Sequence, residues 1–208
     1  MKIIATGVEK KFRKEWIFKK LDGTFTSGNS YALVGPNGTG KSTLLKILAQ
    51  FSLPTNGQVS FYQADGTAIS TDLVHQFIAY AAPYVDVIEE FTLSELIEFL
   101  QKLDFIPSEI TLDSFEKYME LSPGKAKLIK NYSSGMRQKI KLAIALLSPR
   151  PILCLDEPTS NLDEKAKQWF IHKLAENRSK LIFIASNEAI EIGQIGRASC
   201  RERVSSPV

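Results

Sequence analysis

The segment that most constrains the fold is glycine-rich and lies between a short apolar run and a helical pattern. Two of its glycines flank four residues and are followed by Lys and Ser. The segment, called the phosphate loop below, consists of Gly35, Pro36, Asn37, Gly38, Thr39, Gly40, Lys41, Ser42 and Thr43. An apolar run over 30–34 predicts a buried strand before it, and apolar residues at helical spacing follow from Leu44. This order of strand, loop and helix is the context in which the pattern binds phosphate.

The residue types of the loop suit that chemistry. Glycine has no Cβ, so consecutive backbone N–H groups can turn toward phosphate oxygens, and the start of a helix adds partial positive charge. Lys41 is placed to reach the outer phosphates, and the hydroxyl of Ser42 is a ligand for Mg²⁺. The alternative is a glycine-rich turn before an ordinary helix. The phosphate-binding interpretation is favoured over this alternative, because chance matches to the pattern mostly lack the flanking strand and helix.

A second candidate feature is an acidic strand end. The apolar run over 151–155 leads into Asp156 and Glu157. A buried parallel strand with acids at its carboxyl end points them into the crevice where ligands bind in open α/β sheets. Asp156 is predicted to hold the metal through a water, and Glu157 to orient or deprotonate an attacking water. The alternative is a strand-to-loop boundary that is acidic by chance.

The rest of the chain predicts an α/β fold. Strands are expected over 3–8, 16–21, 78–81, 151–156 and 181–185, with turns at 22–23, 27–29 and 54–57. A hairpin around Asp65 and Gly66 makes part of the sheet antiparallel. Helical patterns run from about 91 to 147, starting with a capping box of Thr92 and Glu95, continuing from 107–108 to about 121, and ending with 136–147. We interpret these as an inserted helical subdomain, followed by helices over 164–177 and from Ser186.

Composition and charge limit the function classes. The chain has 208 residues and a net charge of +3, which does not call for a polyanionic partner, so no nucleic acid is expected. Its first residues are too polar for a secretory signal and no run is long enough to span a membrane, so we expect a soluble chain that needs a partner for any membrane role. Cys154 is expected in the core. Phe12, among basic residues at 10–14, could either stack on a base or fill the sheet edge.

Together these motifs resemble the nucleotide-binding subunit of an ATP-binding cassette (ABC) transporter of the small single-cassette type, over about 1–194. The phosphate loop is similar to the family's Walker A motif, and 152–157 is similar to Walker B with its catalytic glutamate. Residues 158–163 look like the following stretch and D-loop. Residues 132–139, called the signature segment below, look like a loose form of the signature motif, in which Ser133 and Gly135 match while Ser134 and Met136 depart.

The resemblance implies a P-loop NTPase fold with a mainly parallel core sheet, an antiparallel β subdomain and an inserted helical subdomain. It implies ATP and Mg²⁺ as ligands and two cassettes that associate head to tail, as a homodimer. Each signature segment would then cover the other copy's ATP, because a helix N-terminus with a free serine is an anion site. Phe12 matches the adenine-stacking aromatic. A membrane subunit would hold the chain at the inner, cytoplasmic face of the membrane.

Two departures from the family pattern affect catalysis. Where the family carries a glutamine after residues 78–80, the best match here is Pro83. Where it carries a histidine that contacts the γ-phosphate, this chain has Asn187, and an amide stabilises developing phosphate charge less than an imidazolium does. With Lys41 and Glu157 present, we expect slow but nonzero ATP hydrolysis.

Three other interpretations remain open. The chain could be a soluble ABC protein, although it lacks a second cassette and a long coiled-coil insertion. It could be a weakly hydrolysing regulatory module that binds nucleotide, or a small-molecule P-loop kinase, which the signature segment disfavours. Residues 195–208 have no periodicity or apolar face, and we interpret them as a non-native tail after a truncation; the alternative is a natural disordered basic tail.

Overall fold

The computed structural model describes residues 1–121, 124 and 127–187. Within them, the strands are β1 (Lys2–Phe12), β2 (Glu15–Thr26), β3 (Ser30–Leu33), β4 (Asn56–Tyr62), β5 (Ala68–Ile69), β6 (Ile78–Ala81), β7 (Ile152–Asp156) and β8 (Leu181–Ala185). The helices are α1 (Lys41–Leu48), α2 (Leu93–Lys102), α3 (Leu112–Met119), α4 (Ser134–Leu147) and α5 (Glu164–Ala175). Short 3₁₀ segments cover Thr71–Phe77 and Ile129–Asn131.

The chain divides into two compact units. Of the described residues, the first contains 1–80, 151–157 and 178–187. It holds an antiparallel sheet in the order β2-β1-β4-β5 and a second sheet in the order β3-β8-β7-β6, in which β8 pairs in parallel with both β3 and β7. The predicted parallel core sheet and the predicted antiparallel β part are therefore both present.

Burial explains why the second sheet forms the centre of this unit. Every residue of β7 and β8 is buried, and most are apolar, as expected of parallel strands covered on both faces. Helix α1 contacts both strands and buries Leu44, Leu45, Ile47 and Leu48. Cys154, in β7, is fully buried, as the sequence predicted. The packing of α1 on these strands positions the end of the phosphate loop, where the helix begins.

The second compact unit contains 81–150 and 158–177. Its helices begin at side-chain caps: Thr92 and Glu95 form the predicted capping box of α2, Thr111 caps α3, and Asp163 caps α5. Helix α3 contacts α2 and α4, and α4 contacts α5. The sequence limits of a helical subdomain, about 91–147, stay a prediction.

Several predicted boundaries are wrong. Residues 10–12 belong to β1 and not to the connection after it, because they pair with 15–18 across the hairpin. The turn predicted at 22–23 is part of β2, where Gly23 pairs with Ala5, and Asn56 and Gly57 lie in β4. Helix α3 begins at Leu112, after its cap Thr111, rather than at 107–108.

Some predictions fall outside the described residues. These are most of the helix end at 122–124, the helix body after Ser186 and Asn187, and the tail over 195–208. A membrane-spanning helix was not expected, and within the described ranges the structure contains none of sufficient length and apolar character.

Candidate functional site

A cavity of about 200 Å³ lies at the N-terminus of α1, in the first unit. It is lined by Ile17, Asn37, Gly38, Gly40, Lys41, Ser42, Thr43 and Glu157. All of these except Ile17 were predicted as site residues from the sequence. The fold thus brings the phosphate loop and the acidic end of β7 to one place, although their chemical roles stay predictions.

The loop backbone has the form that glycine allows. Gly38 and Gly40 have φ angles of 83° and 93°, in the left-handed region that other residues rarely adopt. Gly40 meets a second constraint, because a Cβ at this position would lie 2.2 Å from Cγ2 of Ile17. Its carbonyl then accepts the first helical hydrogen bond, from Leu44 N at 2.8 Å. Gly40 therefore connects the loop to α1 at a position where Ile17 of β2 leaves no room for a side chain.

Lys41 lies inside the curve of the loop and is 5% exposed. Its Nζ donates hydrogen bonds to the carbonyl oxygens of Gly35, at 2.9 Å, and Pro36, at 3.2 Å. An ammonium group has three donors and no acceptor, so a buried one requires oxygen partners. These carbonyls hold a positive charge at the cavity, where phosphate oxygens could take their place.

Ser42 and Asp156 form a hydrogen-bonded pair of oxygen-bearing side chains. The Ser42 hydroxyl donates to Oδ1 of Asp156 at 2.9 Å, and Asp156 is 1% exposed at the end of β7. Mg²⁺ prefers oxygen ligands and is usually bound by one or two protein groups together with substrate phosphates and water. In the part of the chain that the structure describes, no three His, Cys, Asp or Glu side chains come together as a metal site. The two oxygen groups of Ser42 and Asp156 are of the type that Mg²⁺ prefers when it is bound together with a nucleotide.

Glu157 follows β7 with an unusual backbone. Its φ is 45°, and its N–H donates to the carbonyl of Ala185 at 2.8 Å. Non-glycine residues in this region carry backbone strain, which recurs at functional sites where the surrounding structure holds them. The hydrogen bond to the end of β8 provides such a hold, and Glu157 lines the cavity.

Asn187 follows β8 and is exposed. Its side-chain Nδ2 donates a hydrogen bond to Oδ1 of Asn37 in the phosphate loop. The adjacent Ser186 N–H donates to the carbonyl of Leu33 at 3.3 Å, which fixes the chain beside the end of β3. Asn187, which the sequence predicts to replace the family's histidine, thus contacts the loop through its amide.

Phe12 ends β1 and is 53% exposed. This exposure disfavours the alternative that it fills the sheet edge, while stacking on adenine stays a prediction.

The sequence interpretation did not identify Ile17 as a residue of the site. No local pattern shows that this side chain of β2 lies next to Gly40.

The signature segment belongs to the second unit. Ser133 was expected to be free, and this was wrong in part: its Oγ accepts a hydrogen bond from Met136 N at 3.2 Å and caps α4. Only its hydroxyl proton remains as a donor. A Cβ on Gly135 would lie 3.0 Å from the carbonyl oxygen of Asn161. The start of α4 therefore packs closely on the 158–163 segment.

Two further contacts in this unit involve residues to which the sequence assigned no role. Gln138, 3% exposed, donates to the carbonyl of Pro158 at 2.9 Å. Lys141 donates to the carbonyl of Pro83 at 3.2 Å and pairs with Asp86 at 3.3 Å. Helix α4 thus holds both the segment after Glu157 and the segment that carries Pro83 in the glutamine position.

Known proteins share the sequence pattern of this chain. The profile described as "ABC transporter" matches residues 18–160. The bacitracin transport ATP-binding protein BcrA of Enterococcus faecalis is 29% identical over 93% of this chain and 63% of its own length, so the chain spans less than two thirds of that relative.

Solved structures show the same fold. An ATP-binding subunit of an ABC transporter superposes with a TM-score of 0.80 at 21% identity, covering 94% of this chain and 83% of the other. An ATP-binding cassette solved as a dimer in a post-hydrolysis state with ADP and Pi gives a TM-score of 0.74 at 22% identity, over 93% and 90%. These likenesses confirm the predicted fold class.

Proposed function

Because the chain belongs to the ABC transporter family, we propose that it binds and hydrolyses ATP to energise a separate membrane subunit. The observation that carries this proposal is the group of side chains around one cavity. Lys41, Ser42 and Glu157 line it together, and Asp156 is hydrogen-bonded to Ser42. These are a cation, a hydroxyl and two carboxylates, the set that phosphoryl transfer to water requires.

Binding of the triphosphate involves the loop backbone and Lys41. Phosphate oxygens would accept hydrogen bonds from the loop N–H groups at the N-terminus of α1 and from the Lys41 ammonium, which now uses carbonyls of its own loop. Phe12 would stack on the adenine. Ser42 and Asp156 would hold Mg²⁺, which when bound neutralises charge on the phosphates.

Hydrolysis transfers the γ-phosphoryl group to water. Glu157 orients the oxygen of that water toward the γ-phosphorus, accepts the proton that the water loses on attack and later releases it to solvent. The new P–O bond forms as the bond to the β–γ bridging oxygen breaks, and the products are ADP and phosphate. The Asn187 amide stays neutral, so it stabilises the growing negative charge less than an imidazolium would. We therefore expect slow turnover.

A second copy of the chain would complete the site. Ser133, Gly135 and the N-terminus of α4 form a set of anion-binding donors, and in this proposal they cover the ATP of the other copy head to tail. An ATP-binding cassette of the same fold, solved as a dimer with ADP and Pi, supports the association of two copies. The name of the BcrA relative, a transport ATP-binding protein, supports a membrane partner and hence a cytoplasmic position at the inner face of the membrane.

Nucleotide binding and turnover can be tested separately. Titration of ATP with Mg²⁺ should give saturable binding that is abolished in Lys41→Ala and retained in Glu157→Gln. Phosphate release should be measurable in the wild type and lost in Glu157→Gln. If Lys41→Ala binds ATP as well as the wild type does, the binding site is elsewhere. If the wild type releases phosphate no faster than Glu157→Gln, the chain is not an ATPase.

A regulatory module that binds ATP and barely hydrolyses it is the second candidate. The observation in its favour is that Asn187 and Pro83 stand in the histidine and glutamine positions. Binding without turnover above the Glu157→Gln level would favour this candidate. Purification from native cells distinguishes the transporter subunit, which should bring down an integral membrane protein, from a soluble ABC protein, which should not.

A further inference from the structure

We propose that Lys10 is a positioning residue for nucleobase binding, because its ammonium fixes one face of the Phe12 ring and leaves the other for the base. The inference rests on the proposed function and adds a residue to its binding site. Lys10 belongs to no motif, and the sequence assigned it no role beyond a basic stretch.

Two oxygen atoms hold the Lys10 side chain in place. Its Nζ donates to the carbonyl of Leu53 at 2.6 Å and to the hydroxyl of Ser52 at 3.2 Å. An ammonium has three donors, so these bonds use two of them and leave one toward the ring. Leu53 and Ser52 lie just after α1, the helix whose first residue is Lys41. The two hydrogen bonds of Lys10 therefore link the Phe12 region, where the base would bind, to the chain that follows α1, whose first residue, Lys41, lies where the phosphates would bind.

The Lys10 ammonium lies 5.1 Å from the centroid of the Phe12 ring. This is within the range of a cation–π interaction, in which the positive charge sits against the negative face of the ring. Lys10 and Phe12 are two residues apart on β1, and the contact between ammonium and ring shows that their side chains lie together although the register with β2 shifts between Lys10 and Lys11. With one ring face taken and the residue 53% exposed, the open side of the ring is available to a ligand.

The position of Phe12 fits a base whose phosphates occupy the cavity. Phe12 pairs with Glu15 across the hairpin, and Ile17, two residues further along β2, lines the cavity. Two residues of extended chain span at most about 7 Å, a distance that the ribose of a nucleotide can bridge. A base on the Phe12 ring and phosphates beside Lys41 are therefore compatible with one bound ATP.

Positioning can be separated from simple attraction of phosphate by charge. Lys11 supplies the matched control, because it is adjacent in sequence, carries the same charge, and places its Nζ 5.3 Å from the ring of Trp16 instead. Loss of either lysine removes one positive charge from the same hairpin. Only the loss of Lys10 removes the group that holds Phe12.

The test uses two ligands, ATP and inorganic tripolyphosphate, each with Mg²⁺ and titrated in the Glu157→Gln background so that ATP is not consumed. Phe12→Ala should raise the Kd of ATP about fivefold or more, as expected for lost base stacking. Lys10→Met should raise it about two- to fivefold, and Lys10→Arg should restore most of the affinity. Neither Lys10→Met nor Phe12→Ala should alter the Kd of tripolyphosphate, and Lys11→Met should not discriminate between the ligands.

Several results would overturn the inference. Equal weakening of ATP and tripolyphosphate by Lys10→Met would show an effect of charge or folding and not of ring position. A further loss of ATP affinity when Lys10→Met is added to Phe12→Ala would show that Lys10 acts independently of the ring. If Phe12→Ala leaves the Kd of ATP unchanged, the inference fails, whereas loss of both ligands in Lys41→Ala would still support the proposed function.

Discussion

Replacement of Gly40 by alanine tests the geometry of the phosphate loop most directly. Two separate penalties apply at this position. The φ angle of 93° is unfavourable for any residue with a Cβ, and that Cβ would lie 2.2 Å from Cγ2 of Ile17. Gly38 supplies the matched control, because it has a φ of 83° but a Cβ added there would meet no atom within 4 Å.

The two penalties give different magnitudes. A left-handed conformation costs an alanine about 1–2 kcal/mol, and forcing a side chain into occupied space costs about 1–3 kcal/mol more. Gly38→Ala should therefore lower the free energy of unfolding by about 1–2 kcal/mol, and Gly40→Ala by about 2–5 kcal/mol. Ile17 is half-buried, so its partial movement sets where in this range the second value falls.

Urea unfolding of both variants, with and without Ile17→Ala, measures these terms. Ile17→Ala removes the clashing methyl group, so Gly40→Ala should cost about 1–3 kcal/mol less in that background, while Gly38→Ala should cost the same in both. Equal costs of Gly40→Ala in the two backgrounds would refute the contact between β2 and the loop. A Gly38→Ala cost as large as that of Gly40→Ala would refute the division into two penalties.

Three further predictions concern single side chains. Burial raises the pKa of the Cys154 thiol and shields it from solvent. In a Cys200→Ala variant, where Cys154 is the one remaining cysteine, a thiol reagent should therefore react only as fast as the protein unfolds. Burial lowers the pKa of Lys180 from 10.5 to about 8, so the unfolded chain binds more protons than the folded one between these pH values. The melting temperature should therefore rise with pH in this window, and Lys180→Met should remove that contribution. Asn187→His should increase the rate of phosphate release, whereas Asn187→Ala should not.

The sequence predicts the central strands and the loop because their signals are local. An apolar run long enough for one buried strand, followed by glycines and a helical pattern, is complete within about 20 residues. The limits of β1 and β2 were missed for the opposite reason. Lys10 and Lys11 are basic and Lys11 and Phe12 are exposed, so no apolar alternation marks them as a strand, and only pairing with 15–18 makes them part of a sheet. Strand ends depend on a partner that the local sequence does not specify.

The unpredicted parts of the candidate site are contacts between residues far apart in the chain. Ile17 reaches Gly40 from another strand, and Lys10 reaches Leu53 across 43 positions. Neither residue has a type or spacing that indicates such a contact. The cap at Ser133 was local and could have been predicted, because serine is preferred before the first turn of a helix and binds an N–H two or three residues on.

The hydrogen bonds within the phosphate loop differ in whether a bound nucleotide would have to replace them. The Thr39 hydroxyl donates a hydrogen bond to the carbonyl oxygen of Pro36 at 2.9 Å, and the Asn37 side chain accepts one from Asn187. Both bonds stabilise the curve of the loop, and neither involves the Lys41 ammonium. The bonds of Lys41 to the carbonyl oxygens of Gly35 and Pro36 occupy two donors that a phosphate could use, and the Thr39 N–H lies 3.4 Å from the carbonyl oxygen of Pro36. Exchange of a neutral carbonyl for a charged phosphate oxygen strengthens a hydrogen bond. We therefore expect binding of a triphosphate to redirect the Lys41 side chain from the loop carbonyls to the phosphate oxygens.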